Sequence, residues 1–337
     1  MADYRWPDTL NTLLNGESLT RSEARRAMTE VMAGDATDTQ IAAFVTALRA
    51  KGETSDEISG MVEAMMDSAV IVDAGNDVVD LVGTGGDRSG TFNISTTAAL
   101  IAAGAGVRIA KHGNRAASSK AGSADLLEAL GVDIQMSPER MVEMIREIGF
   151  GFFLAPRYHP AIRHATPVRR ELGIRTVFNI LGPLCNPARA RRYALGVADP
   201  AMAQRMIETL QKTGAEAAFV FHGLDGLDEL STTGPSDIYR LRNGEITLAQ
   251  FTPEDFGVSR TAVGHLRGGD AEDNKAITLA ILSGEKGPKR DISLVNAAPA
   301  IVVAGLASGF HEAMDLAAQS VDSGDAMAVL DRAMAFA

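Results

Sequence analysis

The sequence predicts an α/β fold in two parts, a small helical domain over residues 1–72 and a larger α/β domain over 73–337 with a mostly parallel central sheet. Three observations carry this. Over roughly the first seventy positions, apolar residues recur at helical spacing behind three helix-start signals. From about residue 77, short apolar runs alternate with amphipathic segments. Several of those runs end in turns rich in glycine and hydroxyl side chains.

The helix starts are Thr20–Glu23 (TRSE), Thr37–Gln40 (TDTQ) and Thr54–Glu57 (TSDE). In each, a hydroxyl precedes Glu or Gln by three residues, so the two side chains can satisfy each other's free backbone N–H. After the second, Ile41, Phe44, Val45 and Leu48 share one helical face; after the third, Ile58, Met61, Val62, Met65 and Met66 do the same. Gly34 and Gly52 fall where helices would end. The methionines read as adaptable core packing. The expected strands are VVDLVG, GVRIA, FGFFLA, RYALGVA and EAAFVFHG, separated by helices at STTAALIAAG, SADLLEALG, SPERMVEMIREIG and PAMAQRMIETLQKTG. Asn243–Gly244 between two strand-like runs is a hairpin signal. The remainder returns to helices, without internal repeats or low-complexity tracts.

Composition narrows the function. Hydrophobic residues at 46% with 22% charged residues suit a globular protein, and no segment approaches the ~20 apolar residues of a membrane span. The opening MADYRWPDTL lacks the apolar stretch of a secretory signal. One cysteine, Cys185, excludes an internal disulfide framework and fits a reducing cytoplasm; with six scattered histidines it offers no zinc-type cluster. A net charge of -11 disfavours DNA or RNA, whose binding is mostly phosphate neutralisation. It leaves room for a small phosphate ligand held by a few local N–H groups and cations.

Two basic or glycine-rich loops in this acidic chain point to such a pocket. GTGGDRSG follows VVDLV and precedes a helix beginning near Asn93, where free N–H groups would meet phosphate. The dinucleotide fingerprint fails because Arg88 occupies its sixth position, and the P-loop tripeptide is absent. Such a turn alone can be merely tight. The second segment, KHGNRAASSKAGSADLLEALG, again lies between a strand and a helix. Lys111 brings a point charge, the turn at Gly113 would let backbone approach a ligand, and Ser118 and Ser119 offer compact donors. His112 taken alone reads as a structural histidine, and Arg115 and Lys120 as solvated surface. Asp228 and Glu229 follow the strand EAAFVF and suit Mg²⁺, although adjacent acids are common on surfaces. Arg169 and Arg170 lie about 100° apart on a helix, so one can face inward to grip a carboxylate; spacing does not choose between them.

GTGGD, NIST, KHGNRAASSKAGSADLLEALG, PVRRELGIRTVFNILGPLCNP, DGLDELS and GGDAEDN together resemble the anthranilate phosphoribosyltransferase family over nearly the whole chain. The resemblance implies a nucleoside phosphorylase/phosphoribosyltransferase-like architecture, with helices from about 162–188 packing onto the helical domain. It implies transfer of the phosphoribosyl group of phosphoribosyl pyrophosphate (PRPP) to anthranilate with Mg²⁺, in tryptophan synthesis. The protein would be a cytoplasmic homodimer joined through the helical domain, with no nucleic-acid or membrane partner. It assigns Gly83, Gly85, Gly86, Asp87 and Thr91 to the PRPP loop. Asn93, Ser95, Thr96, Lys111 and Ser119 would hold its phosphates, and Ser95, Asp228 and Glu229 the magnesium. Asn114 and Arg169 would contact anthranilate, with His112, Tyr158 and His159 along its path; Lys111 and Arg169 carry the catalytic roles. Cys185 stands where threonine is commoner and Pro299 where alanine is expected; neither touches an assigned contact. Two alternatives share the architecture. A pyrimidine nucleoside phosphorylase would be expected to lack the PVRRELGIRTVFNILGP block and the tandem DE, and a non-catalytic nucleic-acid-binding relative should show a basic groove.

Overall fold

The computed structural model describes residues 4–116 and 120–336. It opens with four helices, α1 (Trp6–Leu14), α2 (Arg21–Ala33), α3 (Asp38–Lys51) and α4 (Ser55–Asp67). All three expected capping boxes form, and Gly34 ends α2 in the left-handed conformation. The third box does more than cap. Buried Glu57 accepts the Thr54 N–H at 2.8 Å, the Leu19 N–H at 2.9 Å and the Lys51 ammonium at 2.9 Å. A single carboxylate thus ties the start of α4 to the end of α3 and to the turn before α2, and its charge is compensated where it is buried.

The α/β part is built on a seven-stranded sheet in the order β3-β2-β1-β4-β5-β6-β7. The strands are β1 (Val79–Gly83), β2 (Ile109–Gly113), β3 (Phe150–Leu154), β4 (Arg192–Gly196), β5 (Ala217–Gly223), β6 (Ser236–Arg242) and β7 (Glu245–Phe251). Strands β1 to β5 run parallel, and the hairpin β6–β7, turning at Asn243–Gly244, is antiparallel as its turn residues require. Between the strands lie α5 (Ile94–Gly104), α6 (Ser123–Ala129), α7 (Pro138–Ile148), α8 (Ala155–Tyr158), α9 (Thr166–Leu172), α10 (Phe178–Leu181) and α11 (Pro200–Lys212). After the sheet come α12 (Ala271–Leu282), α13 (Pro288–Ala304), α14 (Phe310–Asp322) and α15 (Asp325–Ala335). The apolar α5 is buried nearly throughout, because the sheet covers one side and α13, α14 and α15 the other. Pro299 sits buried inside α13, where it removes one ladder hydrogen bond without ending the helix. After β3 the chain returns to the helical domain: α9 packs on α3 and α10 on α4. Among the described residues, no helix is long and apolar enough to cross a membrane.

One expected strand is displaced. GVRIA predicts a strand over 106–110, but β2 begins at Ile109 and continues through Lys111 and His112 to Gly113. Pairing decides this: residues 109–113 of β2 lie in register with 150–154 of β3. Lys111 and His112 therefore belong to the sheet rather than to the loop beyond it. Gly113 has no left-handed φ; its missing side chain makes room for the Phe152 ring and Ser123 Oγ, which an added Cβ would meet at 2.6 and 2.5 Å.

Candidate active site

From β1 the chain moves to β2 and β3 on one side, then crosses to β4 on the other. The sheet order therefore reverses between β1 and β4, where a crevice opens beyond the carboxyl ends of the strands. Two glycines face each other there, Gly83 closing β1 and Gly196 closing β4. Both are small for one reason. A Cβ on Gly83 would lie 2.6 Å from Asp228 Oδ2, and one on Gly196 would lie 1.8 Å from the Asp228 carbonyl oxygen. The paired glycines form a notch into which the loop after β5 drops.

That loop carries Asp228 and Glu229, which are only 9% and 8% exposed. Asp228 Oδ2 accepts the Gly85 N–H at 2.6 Å, and Glu229 Oε1 accepts the Ser95 N–H at 3.1 Å in the first turn of α5. The acidic pair thus bridges the glycine loop and the helix start. From α13, Asn296 pins the loop, accepting the Leu230 N–H at 2.8 Å and donating to the Leu230 carbonyl at 2.9 Å. Lys111 is 2% exposed and reaches inward from β2, donating to the Leu81 carbonyl at 2.6 Å and to Ser95 Oγ at 3.5 Å.

The electrostatics are uneven. Burial, then the charge of Asp87, raises the Asp228 carboxyl to about 7. Burial and then Asp228 raise Glu229 well above the carboxylate range. Asp80, beneath them in β1, is raised to about 7 by burial, although it accepts the His112 N–H at 3.1 Å. Burial lowers the Lys111 ammonium against the opposing pull of Asp80, Glu229 and Asp228. Several buried carboxyls thus crowd around one lysine, and a divalent cation would relieve the burial and mutual repulsion that hold their ionised forms back. Among the described residues no group of three or more His, Cys, Asp or Glu forms a metal cage. Mg²⁺ needs none, since it is bound through one or two carboxylates with water and phosphate oxygens completing its shell.

The other expected site residues fall around this centre. Asp87 accepts from Ser89 Oγ at 2.7 Å, and Thr91 forms an isolated bridge with Arg267. Asn93 is held on both sides, donating to the Ala121 carbonyl at 3.1 Å and accepting from Asn274 at 2.8 Å. The Thr96 hydroxyl is buried without a hydrogen-bond partner among the described residues. Asn114 is exposed just beyond β2. Arg169 is half-buried and lies 5.4 Å from the centre of the Phe178 ring, while Arg170 is exposed, so the fold distinguishes the neighbours that spacing left equal. Arg115 is turned away and paired with Asp125 and Glu128. Ser118 and Ser119 lie outside the described residues.

His112, His159 and Tyr158 form a buried group. His112 Nδ1 donates to the Gly182 carbonyl at 2.9 Å and His159 Nε2 to the Cys185 carbonyl at 2.8 Å, which fixes both tautomers. The rings lie 5.1 Å apart. Burial, then the neighbouring His159 (whose protonation would repel a second charge), pushes His112 down to about 3, and burial lowers His159, so both stay neutral. Tyr158 packs edge-on against Phe153 at 4.9 Å. Sequence reading had no means of finding Asp80, Gly196, Asn296 or Arg175 (whose guanidinium meets the glycine loop), because each acts through a partner distant in the chain. Asn274 sits in GGDAEDN, a segment recognisable as a block without showing what its asparagine holds.

A helical bundle on a parallel α/β domain, with phosphate-friendly loops and buried acids at the switch point, defines a glycosyltransferase of the two-domain type. The family models agree: residues 7–69 match the glycosyl transferase family helical bundle domain and residues 75–327 its a/b domain. The chain is 51% identical to anthranilate phosphoribosyltransferase of Rhizobium rhizogenes over 97% of its own length and 96% of the relative's. The structure resembles the crystal structure of the anthranilate phosphoribosyltransferase from Thermus thermophilus with a TM-score of 0.92 and 44% identity, covering 98% of this chain and 99% of that one. It also resembles the Saccharomyces cerevisiae enzyme in complex with PRPP and Mg, with a TM-score of 0.90 and 27% identity, covering 98% and 97%. This chain belongs to the anthranilate phosphoribosyltransferase family.

Proposed function

We propose that this protein transfers the phosphoribosyl group of PRPP to the amine of anthranilate, giving N-(5-phosphoribosyl)anthranilate and pyrophosphate in tryptophan synthesis. The observation that carries the reading is the buried Asp228–Glu229 pair, which joins the glycine loop to the start of α5 beside Lys111. Asp228, Glu229 and Ser95 would hold Mg²⁺. When bound, the ion neutralises pyrophosphate oxygens as a Lewis acid.

In the reaction, the amine nitrogen forms a bond to the ribose anomeric carbon, the bond from that carbon to the pyrophosphate oxygen breaks, and the amine loses a proton. The transition state is oxocarbenium-like, with negative charge growing on the leaving group. Lys111 and the free loop amides would meet that charge from positions the fold already holds, which would limit reorganisation during the step. An aromatic amine is neutral and nucleophilic at neutral pH, so its placement by Arg169 and Asn114 outweighs general-base help. Burial lowers the Arg169 guanidinium, but an arginine keeps its charge and offers a carboxylate two parallel hydrogen bonds. His112, His159 and Tyr158 would shape the wall behind the ring. We divide the chain at residues 72 and 73 and assign a cytoplasmic homodimer through the helical domain.

The test follows anthranilate fluorescence after adding protein, PRPP and Mg²⁺, with an EDTA control. A metal-dependent loss that needs both substrates supports the reading. No loss from folded protein overturns it and directs attention to uridine or thymidine with phosphate.

A further inference from the structure

The connection between α9 and α10 carries an arginine whose charge is directed at main-chain carbonyls. Arg175 donates through Nη2 to the Gly85 carbonyl at 3.1 Å and through Nη1 to the Gly86 carbonyl at 3.2 Å. Both glycines hold left-handed backbone, with φ of 67° and 77°, and the described chain contains no cis peptide. In a trans peptide the carbonyl and the N–H point in opposite directions. Fixing the Gly85 carbonyl on Arg175 therefore turns the Gly86 N–H away from it, and fixing the Gly86 carbonyl turns the Asp87 N–H away as well. The Gly86 and Asp87 N–H groups have no hydrogen-bond partner among the described residues, whereas the Gly85 N–H is taken by Asp228. The loop thus keeps two adjacent donors free, and a residue from another part of the chain sets their direction.

Arg175 also stands on the segment that joins the two halves of the molecule. Its cavity is lined by Arg49 and Glu53 of the helical domain and by Thr84 just beyond β1. Glu53 is buried there, one of its oxygens without a partner among the described residues, and the Arg175 guanidinium is bonded to the loop carbonyls rather than to that carboxylate.

We propose that Arg175 is a positioning residue for the glycine loop: it fixes the Gly85 and Gly86 carbonyls so that the following amides face the phosphates of the sugar substrate. This rests on the proposed function, since it takes PRPP as that substrate. The guanidinium is engaged with the protein and makes its contribution to binding through the backbone rather than as a direct charge.

The test measures PRPP binding by calorimetry with Mg²⁺ for wild type and for Arg175→Ala, Arg175→Gln and Arg175→Lys, each first checked for an unchanged melting temperature. Two lost charge-assisted hydrogen bonds should weaken PRPP between about tenfold and about a hundredfold in Arg175→Ala. KM for anthranilate at saturating PRPP should stay within about twofold. Arg175→Gln, which keeps a donor without the charge, should recover part of the loss. Wild-type affinity in Arg175→Ala overturns the inference. So does a pattern in which lysine restores binding and glutamine falls as far as alanine, because that marks a direct charge on the ligand. Wild-type protein that binds no PRPP defeats the proposed function instead, so the two failures are separable.

Discussion

Replacing Gly196 by alanine adds one methyl group and should nearly abolish activity. The new Cβ would lie 1.8 Å from the Asp228 carbonyl oxygen, 2.7 Å from its carbonyl carbon and 3.2 Å from Phe221 Cε2. An ordinary carbon–oxygen contact is about 3.3 Å, so the two backbones must separate by about 1.5 Å. Gly196 cannot retreat freely, because β4 is held between β1 and β5. The movement falls on the loop that aims Asp228 at Gly85 and Glu229 at Ser95. A misplacement of about 1 Å in a reacting constellation costs on the order of a hundredfold, so kcat/KM should fall by at least about that factor, or about 2.7 kcal/mol of transition-state stabilisation. The assay is steady-state kcat/KM across a magnesium titration, with thermal unfolding to show that the variant folds. Gly309→Ala is the control, since a Cβ there meets open space and its φ is extended. A Gly196→Ala enzyme within about threefold of wild type would refute the reasoning that close backbone approach holds the acidic pair in place.

Three further outcomes are expected. Arg169→Ala should raise KM for anthranilate at least about tenfold while PRPP affinity is largely kept; unchanged anthranilate kinetics would remove Arg169 from the site. Asp228→Asn should raise the half-saturating magnesium concentration by about tenfold or more, and an unaltered titration would count against its role as a ligand. His112 is held down to about 3 by burial and then by His159, whereas an unfolded histidine titrates near 6.5. The unfolded chain therefore binds the proton first. The stability from neutral His112 is complete above about pH 6.5 and falls by about 1.4 kcal/mol per pH unit as pH drops towards 3. Urea midpoints of wild type and His112→Gln between pH 7 and 5 should show the shallower dependence in the variant, and equal slopes would refute the assignment.

Local chemistry made the helical domain legible. A threonine three residues before Glu or Gln caps its own helix, so TRSE, TDTQ and TSDE place helix starts without reference to the rest of the fold. Asn243–Gly244 fixed the hairpin in the same way, and alternating apolar runs set the parallel sheet. The strand over 106–110 was misplaced because its extent depends on a partner: β2 is as long as its register with β3 allows, and this carries a lysine and a histidine into the interior. Their polarity suggested a loop, and burial against Asp80, the Leu81 carbonyl and the Gly182 carbonyl reversed that reading.

The sequence by itself determined the two-part α/β design and the loops suited to phosphate. Short-range capping, turn chemistry and periodicity act within a few residues and need no folded context. Its motif blocks carried the resemblance to the family, which is likeness to known sequences rather than local physics. Tertiary structure alone decided that Gly83 and Gly196 form one notch, that Asp228 and Glu229 are buried rather than solvated, that Arg169 rather than Arg170 is the shielded neighbour, and that Arg175 grips the glycine loop. Each of these depends on groups that are not neighbours in the chain and meet only in the folded protein. Steric exclusion, desolvation and hydrogen-bond direction act between such groups only after strand order and register have set their separation.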